Sequence, residues 1–110
     1  MAKQEVEYDV VVVGTGASGM SAAVTAAYEG LKVLVVDKAP VYGGTTARSG
    51  GWLWIPGTKL ATEQGLYEPQ GAARDYLKHE ATTHFDGARV DAFIENGPKA
   101  IDFFTSKTCV

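Results

Sequence analysis

Four valines running straight into a glycine turn constrain this chain more than anything else in it. Tyr8-Asp9-Val10-Val11-Val12-Val13 leads into Gly14-Thr15-Gly16-Ala17-Ser18-Gly19, and then into the small apolar stretch Met20 to Ala27. Leu31-Lys32-Val33-Leu34-Val35-Val36 follows and closes on Asp37. Strand, glycine turn, small-residue helix, second strand and terminal acid, in that order, make a dinucleotide-binding βαβ unit. The glycine spacing alone carries little weight; here every flanking element agrees with it. Gly14 lets the chain turn sharply out of the strand. Gly16 has no side chain, so the backbone can approach a pyrophosphate. Gly19 lets the helix sit close to the sheet. The N–H groups and positive dipole end over Gly16 to Gly19 then face phosphates. Asp37 can accept hydrogen bonds from ribose hydroxyls, and its charge would repel a 2′-phosphate, which argues against NADP.

The remaining pattern fills in an α/β chain. Val10–Val13 reads as a strand buried on both faces of a parallel sheet. Ala17 to Glu29 reads as helix, with Gly30 as its stop, and Leu31 to Val36 as the second buried strand. Trp52 to Gly57 is extended and ends in a Pro-Gly turn. Thr58 to Glu68 gives no clear pattern. Pro69 fits the first turn of a helix whose face carries Ala72, Ala73, Tyr76, Leu77 and Glu80. Thr82 to Ala88 connects. Val90, Phe93 and Ile94 resume helical spacing; Gly97-Pro98 predicts a break, with Pro98 starting another helix that carries Ile101, Phe103 and Phe104. Phe93, Phe103 and Phe104 are expected in the core. Thr108-Cys109-Val110 reads as the opening of a further strand. Two strands do not complete a doubly wound sheet, so the expectation is an N-terminal fragment of a larger protein. Residues 1–57 would form the βαβ unit and its following loop, and 58–110 a helical segment of the same domain.

Composition excludes several classes. A net charge of −3 without a basic cluster excludes nucleic acid as an expected partner. The single cysteine, Cys109, permits neither a disulfide framework nor a C-x-x-C pair, which suits a reducing cytoplasm. The start, Met1 to Glu7, lacks the apolar core of a signal peptide, and no apolar run reaches bilayer length.

A second glycine-rich stretch narrows the cofactor. Asp37-Lys38-Ala39-Pro40 is followed by Gly43-Gly44-Thr45-Thr46-Ala47-Arg48-Ser49-Gly50-Gly51. A simple NAD domain has no use for such a loop just after the ribose acid. FAD lies extended, and a second loop of small residues lets backbone N–H groups reach its phosphates and flavin edge. Thr45, Thr46 and Ser49 add short hydroxyl groups there.

Taken together, Gly14-x-Gly16-x-x-Gly19, Asp37-Lys38 and Gly43-Gly44-Thr45-Thr46-x-x-Ser49-Gly50-Gly51 resemble the FAD-binding start of the fumarate reductase/succinate dehydrogenase flavoprotein superfamily. Gly50-Gly51-Trp52-Leu53-Trp54-Ile55-Pro56 and the run from Val90 to Phe104 are most similar to the 3-ketosteroid Δ1-dehydrogenase branch. The resemblance covers nearly the whole chain. It implies a Rossmann-like FAD-binding βαβ unit followed by helices, the N-terminal part of a two-domain flavoprotein. It implies that Gly14, Gly16, Ala17, Ser18 and Gly19 meet the pyrophosphate. Asp37 would hold the adenosine ribose with Lys38 beside it. Gly44, Thr45, Thr46, Ser49, Gly50 and Gly51 would line the flavin side. Many relatives carry Glu where this chain has Asp37, and the shorter acid still reaches a ribose. The membrane-bound succinate dehydrogenases attach FAD through a histidine; Gly44 stands at the corresponding place, so FAD is expected to be non-covalent. The implied activity is an FAD-dependent oxidoreductase acting on an activated C–C bond of a steroid or a dicarboxylate. No catalytic residue is expected within this chain.

Other residues are weighed differently. His79 and His84 do not share a helix face, and no cysteine or acid completes a metal set, so no metal is expected. Arg48 can touch a cofactor phosphate or stand exposed on its loop. Trp52 and Trp54 can border a flat apolar substrate or pack in a core, packing being the favoured reading. Cys109, with Lys107 as its one basic neighbour, reads as a buried or truncation-exposed thiol rather than a catalytic one. Two alternatives stay open: a plain NAD-dependent dehydrogenase, and a catalytically inert chain that only folds or self-associates.

Overall fold

The computed structural model describes residues 5–109. The chain separates into two compact units, Met1–Trp52 and Leu53–Val110.

In the first unit, β1 (Val10–Val13) and β2 (Val33–Val36) pair in parallel, with Val10 opposite Val33 and Val13 opposite Val36. Helix α1 (Ala17–Tyr28) makes the crossover and packs on both strands. Its ending follows from Gly30, whose φ of +87° admits the left-handed turn. The Gly30 N–H donates to the Ala27 carbonyl (3.0 Å) and the Leu31 N–H to the Ala26 carbonyl (3.1 Å), the paired bonds of a Schellman stop. Gly19 sits against the sheet so tightly that a Cβ there would collide with the Gly14 carbonyl and lie 3.5 Å from Val12 Cγ1. Val12 and Ala23 are the buried apolar residues at this contact. The expected burial of β1 on both faces does not occur: Val11 and Val13 are 57% and 82% exposed. The valine run suits a sheet covered on both sides, while α1 covers one.

In the second unit, a turn at Pro56-Gly57 leads into α2 (Lys59–Glu63), capped by Thr58, whose hydroxyl accepts from the Ala61 N–H. The sequence pattern gives no sign of this helix because it is too short for periodicity. Helix α3 (Ala72–Ala81) begins after Gly71 at φ +85°. Pro69 therefore lies ahead of the helix rather than in its first turn, its carbonyl accepting from the Ala72 N–H at 3.1 Å. A short 3₁₀ turn, Thr82–His84, leads to α4 (Gly87–Lys107), capped by Asp86 through the Arg89 N–H at 3.1 Å.

The break expected at Gly97-Pro98 does not occur, for α4 runs straight through both residues. Val90, Phe93, Ile94, Gly97, Pro98, Ile101 and Phe104 form one half-buried stripe along it. Pro98 removes one rung of the helix ladder, a cost of about 3 kcal/mol in an isolated helix. Packing along the stripe overrides it. Gly97 is small for a packing reason: a Cβ there would stand 2.8 Å from Ile55 Cγ2. Helix α3 packs on α4, and Trp54 stacks on Phe93 (6.2 Å) and tilts against Tyr76 (5.6 Å). Phe103 and Phe104 meet edge to face at 5.1 Å. Phe93, Phe103 and Phe104 are half-buried while Trp54 and Tyr76 are exposed, so they make no closed core, and Trp52 stands 93% exposed, against the packing role expected of it. Thr108, the C-cap of α4, is extended (φ −130°, ψ −175°) and Cys109 is exposed coil; Val110, where the expected strand would continue, lies outside the described residues.

Candidate FAD-binding site

The site grows from the turn after β1. The Gly14 N–H donates to the Val36 carbonyl at 2.7 Å, which locks the end of β1 to the end of β2. Gly14 then takes φ +103°, which side chains disfavour, and swings the chain into α1. Gly16 is the N-cap in extended conformation (φ −71°, ψ −176°), without a side-chain cap, and no acid occupies the first turn of α1. The first N–H groups of any helix lack partners within it, so this end presents donors and positive dipole outward.

Two loop glycines close over this end. Gly44, at φ +57°, backs onto Gly16: a Cβ at Gly44 would lie 3.3 Å from Gly16 Cα. Gly43, at φ +110°, lies so close to Ala47 that a Cβ there would stand 2.5 Å from the Ala47 methyl. The Thr46 hydroxyl accepts from the Ala17 N–H at 3.1 Å. The Cα of Gly16 stays open, for a Cβ built there meets only Thr46 Oγ1, at 3.8 Å. An anionic group can therefore reach the backbone at Gly16 and Ala17 without displacing protein atoms other than that hydroxyl. The residues present fit a pyrophosphate.

Asp37 ends β2 and faces back into the turn. Its Oδ2 accepts from the Thr15 N–H (2.8 Å) and from the Thr15 hydroxyl (2.5 Å), and its Oδ1 accepts from the Ala39 N–H (2.9 Å). These donors, the Ala39 N–H first and the Thr15 hydroxyl next, hold the Asp37 carboxyl down at about 2. A carboxylate has about four acceptor positions. Three are filled by these bonds, and the Lys38 N–H also acts on the carboxylate. Thr15 itself is buried, and its Oγ1 accepts from the Gly43 N–H at 2.9 Å.

Of the residues singled out in the sequence, Gly14, Gly16, Ala17, Gly19, Asp37, Gly44 and Thr46 come together around this turn. Ser49 engages its own loop, donating to the Thr46 carbonyl (2.8 Å) and accepting from the Gly51 N–H (3.1 Å). Gly50 lies under the Trp52 ring, and Ser18, Lys38, Thr45 and Gly51 are exposed. Thr15 escaped sequence reading because the fingerprint leaves its position free. The one signal was a hydroxyl placed where the turn meets the end of the next strand. Among the described residues no cluster of histidine, cysteine and acids could hold a metal, and no helix is long and apolar enough to cross a membrane.

Residues 9–110 match the family described as FAD binding domain, and the chain belongs to it. FAD is its cofactor, which sets the NAD-dependent alternative aside. Over 102 residues it is 46% identical to a 3-oxosteroid 1-dehydrogenase of Mycobacterium tuberculosis, covering 93% of this chain and 18% of that protein. It is 43% identical over 102 residues to a 4-oxocyclohex-2-ene-1-carboxylate 5-dehydrogenase of Sinomonas cyclohexanicum, covering 93% of this chain and 17% of the relative. The crystal structure of a 3-ketosteroid delta1-dehydrogenase from Sterolibacterium denitrificans, in complex with 1,4-androstadiene-3,17-dione, superposes with a TM-score of 0.78 at 38% identity. That match covers 90% of this chain and 17% of the solved one. The chain thus spans less than a fifth of the length of each of these three proteins.

Proposed function

We propose that this chain is the cofactor-holding start of an FAD-dependent dehydrogenase acting on an activated C–C bond, of the 3-ketosteroid dehydrogenase kind. The observation that carries the reading is the open backbone at Gly16 beneath a second glycine loop, in a chain whose relatives are named as dehydrogenases of cyclic ketones. Gly14, Gly16, Ala17, Ser18 and Gly19 would hold the pyrophosphate through backbone N–H groups. Asp37 would hold the adenosine ribose, with Lys38 beside it. Gly44, Thr45, Thr46, Ser49, Gly50 and Gly51 would line the flavin side. Residues 1–57 would carry this work and 58–110 would continue the same domain.

Bound FAD supplies hydride acceptance. The residues of this chain bind and orient it and hold no proton for the substrate, so acid and base groups belong to the rest of the protein. Gly44 offers no side chain for a covalent flavin bond, so FAD should leave with acid. A 3-oxosteroid, or a smaller cyclic ketone, is the favoured substrate class, with a dicarboxylate as the other class. A reducing, cytoplasmic setting fits the single cysteine.

The test is to purify the full-length protein, measure flavin per chain, precipitate it with acid, and assay 3-oxosteroid, 4-oxocyclohexanecarboxylate and fumarate with an artificial electron carrier. Stoichiometric, acid-released FAD and turnover of one ketone support the reading. Absence of flavin, or flavin that stays with the precipitate, overturns its binding half; fumarate turnover alone moves the substrate class. A second reading rests on the exposed Val11 and Val13 and a sheet of two strands. The 110 residues by themselves would self-associate and lack turnover, since bare edges and apolar faces recruit other chains. Sedimentation of the isolated chain as a stable monomer would count against it.

A further inference from the structure

Thr15 is a buried polar side chain in a chain that buries few residues of any kind. It belongs to the first glycine turn, donates to Asp37 at the end of β2, and accepts from Gly43 in the second glycine loop. A hydroxyl has one proton. Because its partner at Oδ2 is a carboxylate, which only accepts, that proton must point to Asp37. The lone pairs are then turned toward the Gly43 N–H. The carboxylate thus fixes the direction of the hydroxyl, and the hydroxyl fixes the start of the second loop.

An amide at position 37 cannot replace this arrangement. Backbone N–H groups stand on both oxygens, Thr15 on one side and Ala39 on the other, so an NH₂ group would face a donor in either orientation.

We infer that Thr15 is a positioning residue for FAD, which sets Asp37 and the second glycine loop in one register over the start of α1. The inference rests on the reading that FAD binds at this turn. Thr15 touches neither phosphate nor flavin in this role. It acts through Asp37, whose carboxylate it orients, and through Gly43, which leads the loop onto Gly16 and brings Thr46 to Ala17.

The experiment uses the full-length protein and five variants: Thr15→Val, Thr15→Ser, Asp37→Asn, the double Thr15→Val/Asp37→Asn, and Gly16→Val as a control. FAD dissociation constants are measured by flavin fluorescence on apoprotein. In parallel, tryptic cleavage of the apoprotein is timed at Lys38, ahead of the loop, and at Arg48, within it. Loss of a hydrogen bond to a charged group predicts weaker FAD binding by on the order of 10-fold to 100-fold in Thr15→Val. Cleavage at Arg48 should be faster in the same variant. Thr15→Ser should restore both to near the parent values. The double variant should bind FAD no worse than Asp37→Asn alone, because both changes break one network.

Parent-like affinity and cleavage in Thr15→Val, or fully additive losses in the double variant, overturn the inference. Should Thr15→Val fail to fold, the serine variant decides: parent-like affinity and loop protection support the role, and a loss comparable to Asp37→Asn overturns it. Gly16→Val is the control that separates the two claims. If it retains stoichiometric FAD, the binding site itself is misplaced; if it loses FAD while Thr15→Val does not, only the role of Thr15 falls.

Discussion

The two units of this chain are held by different means. In the first, order comes from glycines, from the backbone bond of Gly14 to Val36, and from hydrogen bonds that backbone N–H groups donate to short polar side chains: Thr15 to Asp37, Gly43 to Thr15, and Ala17 to Thr46. In the second, order comes from aromatic stacking around Trp54, a half-buried stripe on α4, and surface ion pairs such as Lys59–Asp102 and Arg74–Asp91. The difference teaches that a glycine turn is specified by what must be absent at Cα, whereas a helical layer is specified by what fills the space between helices.

Two glycines of the same motif should break that comparison from opposite sides. Gly19→Val places a side chain into the Gly14 carbonyl and should cost about 3 kcal/mol, seen as a large drop in melting temperature with FAD lost as a consequence. Gly16→Val meets nothing closer than 3.8 Å at its Cβ, and its backbone is extended. As apoprotein it should melt within about 0.5 kcal/mol of the parent apoprotein while FAD binding is lost outright. Equal destabilisation by both would erase the distinction between a packing glycine and an approach glycine.

In the second unit, Gly97→Val should cost about 2 kcal/mol, since its Cβ stands 2.8 Å from Ile55 Cγ2. Chemical denaturation measures this. An unchanged midpoint would mean that Ile55 gives way and that the helical layer is looser than its stripe suggests.

Acid should affect the first unit through Asp37. Its folded value of about 2 lies below the ordinary 3.8, so the carboxylate favours the folded state above pH 3.8 and this contribution is lost as pH falls toward 2. Melting temperature followed from pH 5 to pH 2 should fall less steeply in Asp37→Ala than in the parent; matching slopes would deny the carboxylate its role in tying the turn. The smallest effect is expected from Arg74→Ala. Its ion pair with Asp91 leaves the partners 41% and 58% exposed, so about 0.5 kcal/mol should be lost, and less in high salt. A loss above 2 kcal/mol would show that its packing over Phe85, at 5.2 Å, carries more than its charge.

The sequence by itself determined the βαβ unit, because each of its signals is local: β-branched runs make the strands, Gly14 and Gly30 admit backbone that other residues resist, and Asp37 falls where the second strand must end. It also determined the family, through two glycine loops at fixed spacing. Tertiary structure decided the rest. Whether Gly97-Pro98 breaks a helix depends on Ile55 and on the stripe that packs along α4, residues too far apart in the chain for local preference to weigh. The exposure of Val11 and Val13 depends on what covers the sheet, which a valine run does not encode. Thr15 was invisible in the sequence for the same reason. A hydroxyl acquires a role only when folding brings a carboxylate to one side of it and a backbone N–H to the other.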